Sequence, residues 1–404
     1  MLEIDKIVKR KLTGTVDLPS SKSMCNRYLL IAALSGQEVS MPNLSASNDV
    51  VLLQKALQSK EQIRYFEDAG TPLRFFLAYA ALLGLDVMID GGERLRARPL
   101  IPLLKALGQL GAEFEYMGES GSMPLRVRKG VNLLSTHVTI NASLSSQFLS
   151  AILLIAPCFT HGLTIIVNGE QTSEPYIDMT IEAMKQSGVE MELSGHTYTV
   201  KAGAYRIAPD IHIESDWSSA TFIYALAATV NEADIFLPYL RLDSSQGDAA
   251  TAKIFEQFGL QSEQLESGVR IKTSGFKTDF FEHNLKDIPD MFPALVAVCS
   301  FLKISARLTG VANLVFKESD RIKAMQENLL QTGAVLSRIG EDELQLSFQE
   351  EYHTDHYKFK SFDDHRIAMA CSLFASKKAI SIDEASVVKK SFPHYWNVFR
   401  ALMH

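Results

Sequence analysis

One unit written six times constrains this chain more than any other feature. A short polar cluster precedes an Ala-rich apolar segment at Ser20, Ala69, Ser143, Ser218, Asp287 and Asp363, as in SSKSMCNRYLLIAAL and SLSSQFLSAILLIAP. Successive starts are 49, 74, 75, 69 and 76 residues apart. Each apolar segment predicts a buried helix whose first N–H groups are capped by the Ser, Asp or Asn of its cluster. A second helix is predicted 28 to 32 residues after each start, near Asp49, Arg98, Pro175, Asp248, Glu318 and Ser391. Four of these run into a glycine (Gly111, Gly188, Gly259 and Gly333), the residue that suits a left-handed helix end. The stretches AEFEYM and VEMELSG that follow two of them alternate in polarity, and so predict strands.

A chain of 404 residues has room for two domains, and three units per half meet that number. The predicted fold is therefore α/β, with two similar lobes, each of three βαβ-rich repeats around buried central helices. The repeat puts the boundary near Pro209–Glu214, because no Pro-, Gly- or Ser-rich linker separates the halves. The first unit is about 25 residues short of its neighbours, 49 against 74 and 75.

The net charge of −7 argues against a general nucleic-acid binder, which carries a basic face. The four cysteines (Cys25, Cys158, Cys299 and Cys371) lie in or beside apolar runs, form no CxxC pair and read as small buried hydrophobes. The start, MLEIDKIVKRKLTG, has no apolar signal core, and the longest apolar stretch, 148–159, is too short to span a bilayer. These features predict a cytoplasmic protein without a membrane anchor.

Helix N-termini carry partial positive charge and free N–H groups, so six capped starts brought together would suit an anion. Basic residues stand in or near the same clusters: Lys22 and Arg27; Arg74 and Arg98; Lys317, Arg321, Arg366 and Lys390. A cation at a helix start opposes the dipole, and an anionic ligand would resolve the conflict. Asp290, Glu318, Asp364 and His365 add acid–base groups to the last two units. No GxxxxGK[ST], GxGxxG after a strand, HExxH or GxSxG is present.

The segments SSKSMCNRYLLIAAL, DAGTPLRFF, SLSSQFLSAILLIAP, SEPYIDMTIEAMKQSGV, DIPDMFPALVAV, NLVFKESDRI, DDHRIAMA and KKSFPHYW occur in this order from Leu18 to Trp396. Together they resemble the 5-enolpyruvylshikimate-3-phosphate synthases, whose signature is SKS-x-x-NR. The resemblance implies two lobes of three repeats each, residues 20–213 and residues 214–404, the second completed by a first strand, about Leu2–Leu12, within residues 1–19. It implies transfer of the enolpyruvyl group of phosphoenolpyruvate to shikimate-3-phosphate in the shikimate pathway, toward chorismate and the aromatic amino acids. It implies a cytoplasmic monomer acting on small molecules, with no cofactor, no metal, no nucleic acid and no membrane. Glyphosate is a known inhibitor of that family.

Matched motif by motif, shikimate-3-phosphate falls to Lys22, Ser23, Arg27, Ser145, Ser146, Gln147, Ser173, Tyr176, Asp290, Asn313 and Lys317. Phosphoenolpyruvate falls to Lys22, Gly70, Arg98, Gln147, Arg321, Arg366 and Lys390. Asp290 and Glu318 are the implied acid–base pair, with Lys22 assisting and His365 as a proton partner. This chain departs from the family pattern at Glu67-Asp68 (usually Gly-Asn), Phe75 (usually Pro) and Glu174 (often Lys). Two alternatives stand beside this reading. A UDP-N-acetylglucosamine enolpyruvyl transferase differs at its first motif and carries a reactive Cys in a Gly-rich loop. A non-catalytic phosphate-binding homologue would keep the fold alone.

Overall fold

The computed structural model describes every residue except 170, 172, 276, 352 and 404. The chain forms two compact units, Ser20–Ile213, and Met1–Pro19 with Glu214–His404. We call them the N-terminal and C-terminal lobes, and each has its own hydrophobic core.

Residues 1–19 carry two strands, β1 (Leu2–Ile4) and β2 (Lys11–Thr15). The N-terminal lobe then runs α1 (Lys22–Ser35), α2 (Asn48–Gln58), β3 (Ile63–Tyr65), α3 (Gly70–Leu83), β4 (Met88–Asp90), α4 (Glu93–Arg96) and α5 (Ile101–Gln109). It continues through β5 (Glu113–Tyr116), β6 (Leu125–Lys129), β7 (His137–Asn141), α6 (Ser146–Ile155), β8 (Leu163–Asn168), α7 (Glu174–Gln186), β9 (Met191–Ser194) and β10 (Thr197–Val200). The C-terminal lobe resumes with α8 (Trp217–Ala228), β11 (Glu232–Pro238), α9 (Thr251–Ile254), β12 (Leu260–Leu265), β13 (Gly268–Thr273) and β14 (Phe280–Asn284). Then come α10 (Phe292–Leu302), β15 (Ser305–Thr309), α11 (Arg321–Leu330), β16 (Ala334–Gly340), β17 (Glu343–Phe348), β18 (His356–Phe359), α12 (His365–Cys371), β19 (Ala379–Ile382) and α13 (Tyr395–Met403).

All six central helices form where the apolar segments predict them: α1, α3, α6, α8, α10 and α12. Four of them, α6, α8, α10 and α12, are apolar enough to be buried nearly all round, with only Ser218 of α8 not fully buried in that helix, whereas α1 buries one face: Cys25, Asn26, Arg27, Tyr28, Leu30 and Ile31. Four of the six are capped from the predicted clusters or their edges, by the side chains of Ser21, Ser145, Asp216 and Asp364, whereas α3 and α10 start at Ala69 and Met291 without the side-chain cap expected of them; Asp320 caps the second helix α11. Gly111, Gly188, Gly259 and Gly333 all take positive φ, from 76° to 102°, as the helix-stop reading requires.

The repeat is equally plain in the sheets. β3-β4-β6-β5, β7-β8-β10-β9, β14-β15-β17-β16 and β2-β11-β13-β12 share one topology. Each opens with a parallel pair and adds an antiparallel hairpin. In the first three of these sheets the central helix is the crossover between the two parallel strands, and in the fourth the N-terminal lobe and α8 together lie between β2 and β11, a connection antiparallel neighbours would not need. The fifth sheet, β18-β19-β1, keeps the parallel pair, and the chain start supplies its antiparallel strand. In the first unit, the described residues show only a bridge between Ser40 and Asp210 in place of a sheet. The short spacing of that unit is the missing hairpin.

Two local expectations need correction. The predicted single strand over Leu2–Leu12 is two strands in two sheets, β1 against β19 and β2 against β11. Between them Ile7 is buried and its N–H bonds to the carbonyl of Ala375. The second helix of the last unit does not start at Ser391. A 3-10 turn, Ala385–Lys390, precedes it, and α13 begins at Tyr395, after Pro393, because the residue before proline avoids the helical region. The four cysteines are free thiols, three of them buried. Among the described residues no helix is long and apolar enough to cross a membrane.

Candidate active site

The helix starts gather their polar residues within each lobe. In the C-terminal lobe the hub is Arg321, the first residue of α11, which is fully buried. Its Nε donates to Asp364 Oδ2 at 2.9 Å, Nη1 to Asp290 Oδ1 at 2.7 Å and Nη2 to Glu318 Oε2 at 2.9 Å. Arg366 Nη2 donates to the second oxygen of Asp290 at 2.7 Å, and Lys390 Nζ lies 3.6 Å from Glu318 Oε1. Asp364 also caps α12, accepting the N–H of Arg366 at 3.0 Å, and takes the hydroxyl of Ser319 at 3.2 Å. His365, first residue of α12, is buried, with Nδ1 3.7 Å from Asp364 Oδ1. Asn313 lies on the 3-10 turn Ala312–Phe316, and Lys317 follows it.

Charge sets the protonation here. Burial alone would raise the Asp290 carboxyl, but Arg366, Arg321 and Lys317 outweigh it and hold Asp290 well below the ordinary carboxylate range. Burial works against the charged guanidinium of Arg321, but Asp364, Asp290 and Glu318 reverse that and raise its pKa. Asp248, at the start of the fourth unit's second helix, is also buried and accepts the hydroxyl of Ser218. Burial first, and the charge of Asp290 second, push its carboxyl from the ordinary 3.8 up to about 6. The cations at these helix starts, which from sequence called for an anionic ligand, are thus answered in part by carboxylates of the same lobe.

In the N-terminal lobe, α1, α3 and α6 pack on one another, and α7 packs on α1 and α6. Lys22, first residue of α1, lies 3.3 Å from Asp49 of α2, and both are largely buried. Arg27 is one turn further on from Ser23, and its Nη1 donates back to the Ser23 carbonyl at 2.8 Å. Its Nε donates to Thr180 Oγ1 at 2.8 Å and its Nη2 to the Tyr176 carbonyl at 2.6 Å, and the guanidinium lies over the Phe75 ring. Burial lowers its pKa to about 10, with the Tyr176 hydroxyl opposing. Ser145 caps α6 by accepting the N–H of Gln147 at 3.3 Å, and Ser146 is buried beside it. Ser173 takes the left-handed conformation, φ 56°, at the start of α7, one turn before Tyr176.

Gly70 opens α3 beneath two arginines. A Cβ there would come within 2.6 Å of both Arg74 Nη1 and Arg98 Nη1. Arg74 donates to the Gly70 carbonyl at 3.0 Å, the Pro99 carbonyl at 2.7 Å and Gln147 Oε1 at 2.8 Å. Glu67 takes positive φ, and its carbonyl accepts the Gly92 N–H, folding the chain so that Asp68 lies against Gly92.

Within the N-terminal lobe the structure gathers Lys22, Ser23, Arg27, Gly70, Arg98, Ser145, Ser146, Gln147, Ser173 and Tyr176 at these helix starts. Within the C-terminal lobe it gathers Asp290, Glu318, Arg321, His365, Arg366 and Lys390, with Asn313 and Lys317 on the turn before them. Sequence reasoning left three participants out of the site, Asp49, Thr180 and Asp248; it named Arg74 and Asp364 as cluster residues but assigned neither to a substrate or a catalytic role. Two of the three carried a signal, since Asp49 and Asp248 open second helices. Thr180 carried none.

Comparison with known proteins agrees. The family model described as EPSP synthase (3-phosphoshikimate 1-carboxyvinyltransferase) matches residues 7–60 and 52–399. A 3-phosphoshikimate 1-carboxyvinyltransferase of Bacteroides fragilis is 36% identical over 392 residues, covering 96% of this chain and 95% of that one. One from Shewanella pealeana is 30% identical over 424 residues, covering 98% of each. A solved EPSP synthase of Acinetobacter baumannii superposes with a TM-score of 0.77 at 21% identity, covering 99% of this chain and 97% of that one, and so shares the two-lobe fold. With the repeat topology, the gathered helix starts and these matches taken together, the chain belongs to the EPSP synthase family.

Proposed function

We propose that the protein transfers the enolpyruvyl group of phosphoenolpyruvate to the 5-hydroxyl of shikimate-3-phosphate and releases phosphate. Beside the family relationship, one observation carries the reading. Arg321 ties Asp290, Glu318 and Asp364 into a single buried cluster, so two candidate acid–base groups are held rigidly among cations.

Shikimate-3-phosphate is assigned to Lys22, Ser23, Arg27, Ser145, Ser146, Gln147, Ser173, Tyr176, Asp290, Asn313 and Lys317. Phosphoenolpyruvate is assigned to Lys22, Gly70, Arg98, Gln147, Arg321, Arg366 and Lys390. Asp290 takes the proton of the attacking hydroxyl, Glu318 serves the methylene carbon, Lys22 assists and His365 is a proton partner. Asp290 is a weak base while two guanidinia occupy its oxygens. An anionic substrate that competes for Arg321 and Arg366 raises its basicity, which couples proton transfer to loading of the site. Guanidinium and ammonium groups neutralise the developing charge, so the reaction requires no metal or organic cofactor. The protein acts on these small molecules as a cytoplasmic monomer, apart from nucleic acid and membrane.

The decisive assay is phosphate release with both substrates after thorough chelation. Turnover is expected; activity that appears only when a divalent ion is restored contradicts the metal-free reading. Absence of turnover under every condition favours a non-catalytic homologue, and turnover with UDP-N-acetylglucosamine in place of shikimate-3-phosphate favours the other transferase. Asp290→Asn is expected to lower kcat by at least about 100-fold, the low end for a positioned acid–base group. Near-normal single-turnover rates in that variant would remove Asp290 from the mechanism.

A further inference from the structure

The chain enters α12 through a turn whose conformation one of its residues should avoid. Phe362 and Asp363 both take φ 53°, and the Asp364 N–H donates to the Ser361 carbonyl at 3.0 Å across them. Positive φ at both central residues is the pattern of a type I′ turn, for which Asn-Gly, Asp-Gly and Gly-Gly are the favoured pairs. Asp tolerates this region, but a bulky side chain such as that of Phe is strained there. Phe362 is half-buried and packs against the core of the C-terminal lobe.

The residues before the turn are clamped. Buried Asn328, two turns into α11, donates to the Lys360 carbonyl at 2.8 Å and accepts the Lys360 N–H at 3.0 Å. The Ser361 N–H donates to Asp383 Oδ1 at 2.7 Å. Asp364, after the turn, comes back to the start of the same helix, where its carboxylate accepts Arg321 Nε at 2.9 Å and the Ser319 hydroxyl at 3.2 Å. Thus α11 holds the turn from both sides, through Asn328 and Arg321, about 10 Å apart along the helix. A strained backbone persists only where its surroundings over-determine it, and such places gather at functional groups.

We propose that Phe362 is a positioning residue of the active site: its ring, seated on the core, keeps the turn left-handed and so aims the Asp364 carboxylate at Arg321. Its part in the reaction rests on the transferase reading above. Asp364 occupies Nε of Arg321, and Nη1 and Nη2 are directed at Asp290 and Glu318. Glycine at 362 would take the same φ without strain, and would leave it as readily. The Asp364 carboxylate would then lose its fixed direction. The guanidinium that orders the acid–base pair would lose one of its three anchors.

The test compares the whole protein with Phe362→Gly and Phe362→Tyr in two readouts. The first is NMR of the arginine Nε–H groups, with the Arg321 signal assigned by its absence from Arg321→Lys. In Phe362→Gly the Arg321 Nε–H is expected to exchange with water roughly tenfold or more faster than in the parent, with the Arg27 Nε–H of the other lobe unchanged. The second is turnover per folded molecule, where kcat of Phe362→Gly is expected to fall roughly tenfold or more, because a small misplacement of catalytic groups is costly. Phe362→Tyr keeps the ring and should match the parent in both. A merely structural Phe362 would lower the melting temperature and leave both readouts of the folded molecules alone. Unchanged exchange at Arg321 in Phe362→Gly overturns the proposal, and so does an unchanged kcat. Loss of either readout in Phe362→Tyr overturns the part given to the ring. If Phe362→Gly does not fold, Phe362→Leu, which keeps part of the packing, takes its place with the same expected directions. A parent without turnover would overturn the transferase reading, and the exchange readout would still decide whether Phe362 positions Asp364.

Discussion

Arg27 and Arg321 show how differently two buried arginines can be employed. Arg321 binds three carboxylates, whereas Arg27 donates to two carbonyls and a hydroxyl and so ties α1 to α7. Arg27→Ala therefore has two expected consequences. Loss of its buried hydrogen bonds should destabilise the N-terminal lobe by about 2–4 kcal/mol, which chemical denaturation measures. Shikimate-3-phosphate should also bind more weakly by calorimetry; an unchanged dissociation constant would leave Arg27 a structural residue alone. Asp248 makes a pH-dependent prediction. Its folded pKa of about 6 lies above the ordinary 3.8, so the folded state holds the proton more tightly. Stability should fall as pH rises from about 4 to about 6, by at most roughly 3 kcal/mol at about 1.4 kcal/mol per pH unit. Asp248→Asn keeps an acceptor for Ser218 and removes the charge. Urea denaturation should find the variant more stable than the parent at pH 7 and equal to it near pH 4. A variant that is less stable at both pH values would contradict the assignment.

At the scale of elements, the helix start is the working part. Ser21, Ser145, Asp216, Asp320 and Asp364 are caps, and functional candidates sit within a turn of each except Asp216. The start of α3 is an exception of another kind, because Ala69 offers no side-chain cap and Gly70 leaves room for Arg74 and Arg98. Gly70→Ala should displace both guanidinia. If one charge-assisted contact to phosphoenolpyruvate is lost, at about 1.4 kcal/mol, its KM should rise about tenfold while that of shikimate-3-phosphate changes little. Steady-state kinetics with each substrate varied in turn would show this, and an unchanged KM for phosphoenolpyruvate would mean that Arg98 finds an equivalent position.

At the scale of the molecule, the chain start is a part of the C-terminal lobe, and the N-terminal lobe is an insertion between β2 and α8. Residues 1–19 supply one strand to each of two sheets and bury Ile7, Leu12 and Val16. Burial of three such side chains is worth roughly 5–9 kcal/mol, comparable to the whole stability of a domain. Deletion of residues 1–19 should abolish hydrogen-exchange protection of β11 and β19 and leave protection in α3 and α6. Retained protection of β11 would mean that its hairpin with β13 suffices.

The sequence by itself determined the six-fold repeat, the six central helices and the side-chain caps of four of them, the four glycine stops, and the motif residues that reach the helix starts. These are local properties: an apolar run, a capping side chain and a residue that tolerates positive φ act within a few positions of themselves. Only the tertiary structure decided that the chain start is two strands, since β1 and β2 answer to partners more than 200 residues away. It alone joined Thr180 to Arg27, Arg74 to Gln147 and Asp49 to Lys22, and brought Asp248 close enough to Asp290 to shift its proton. The physical reason is range. A hydrogen bond or a buried charge acts over a few ångströms of space, and sequence distance carries no information about that separation until the sheets and helices have packed.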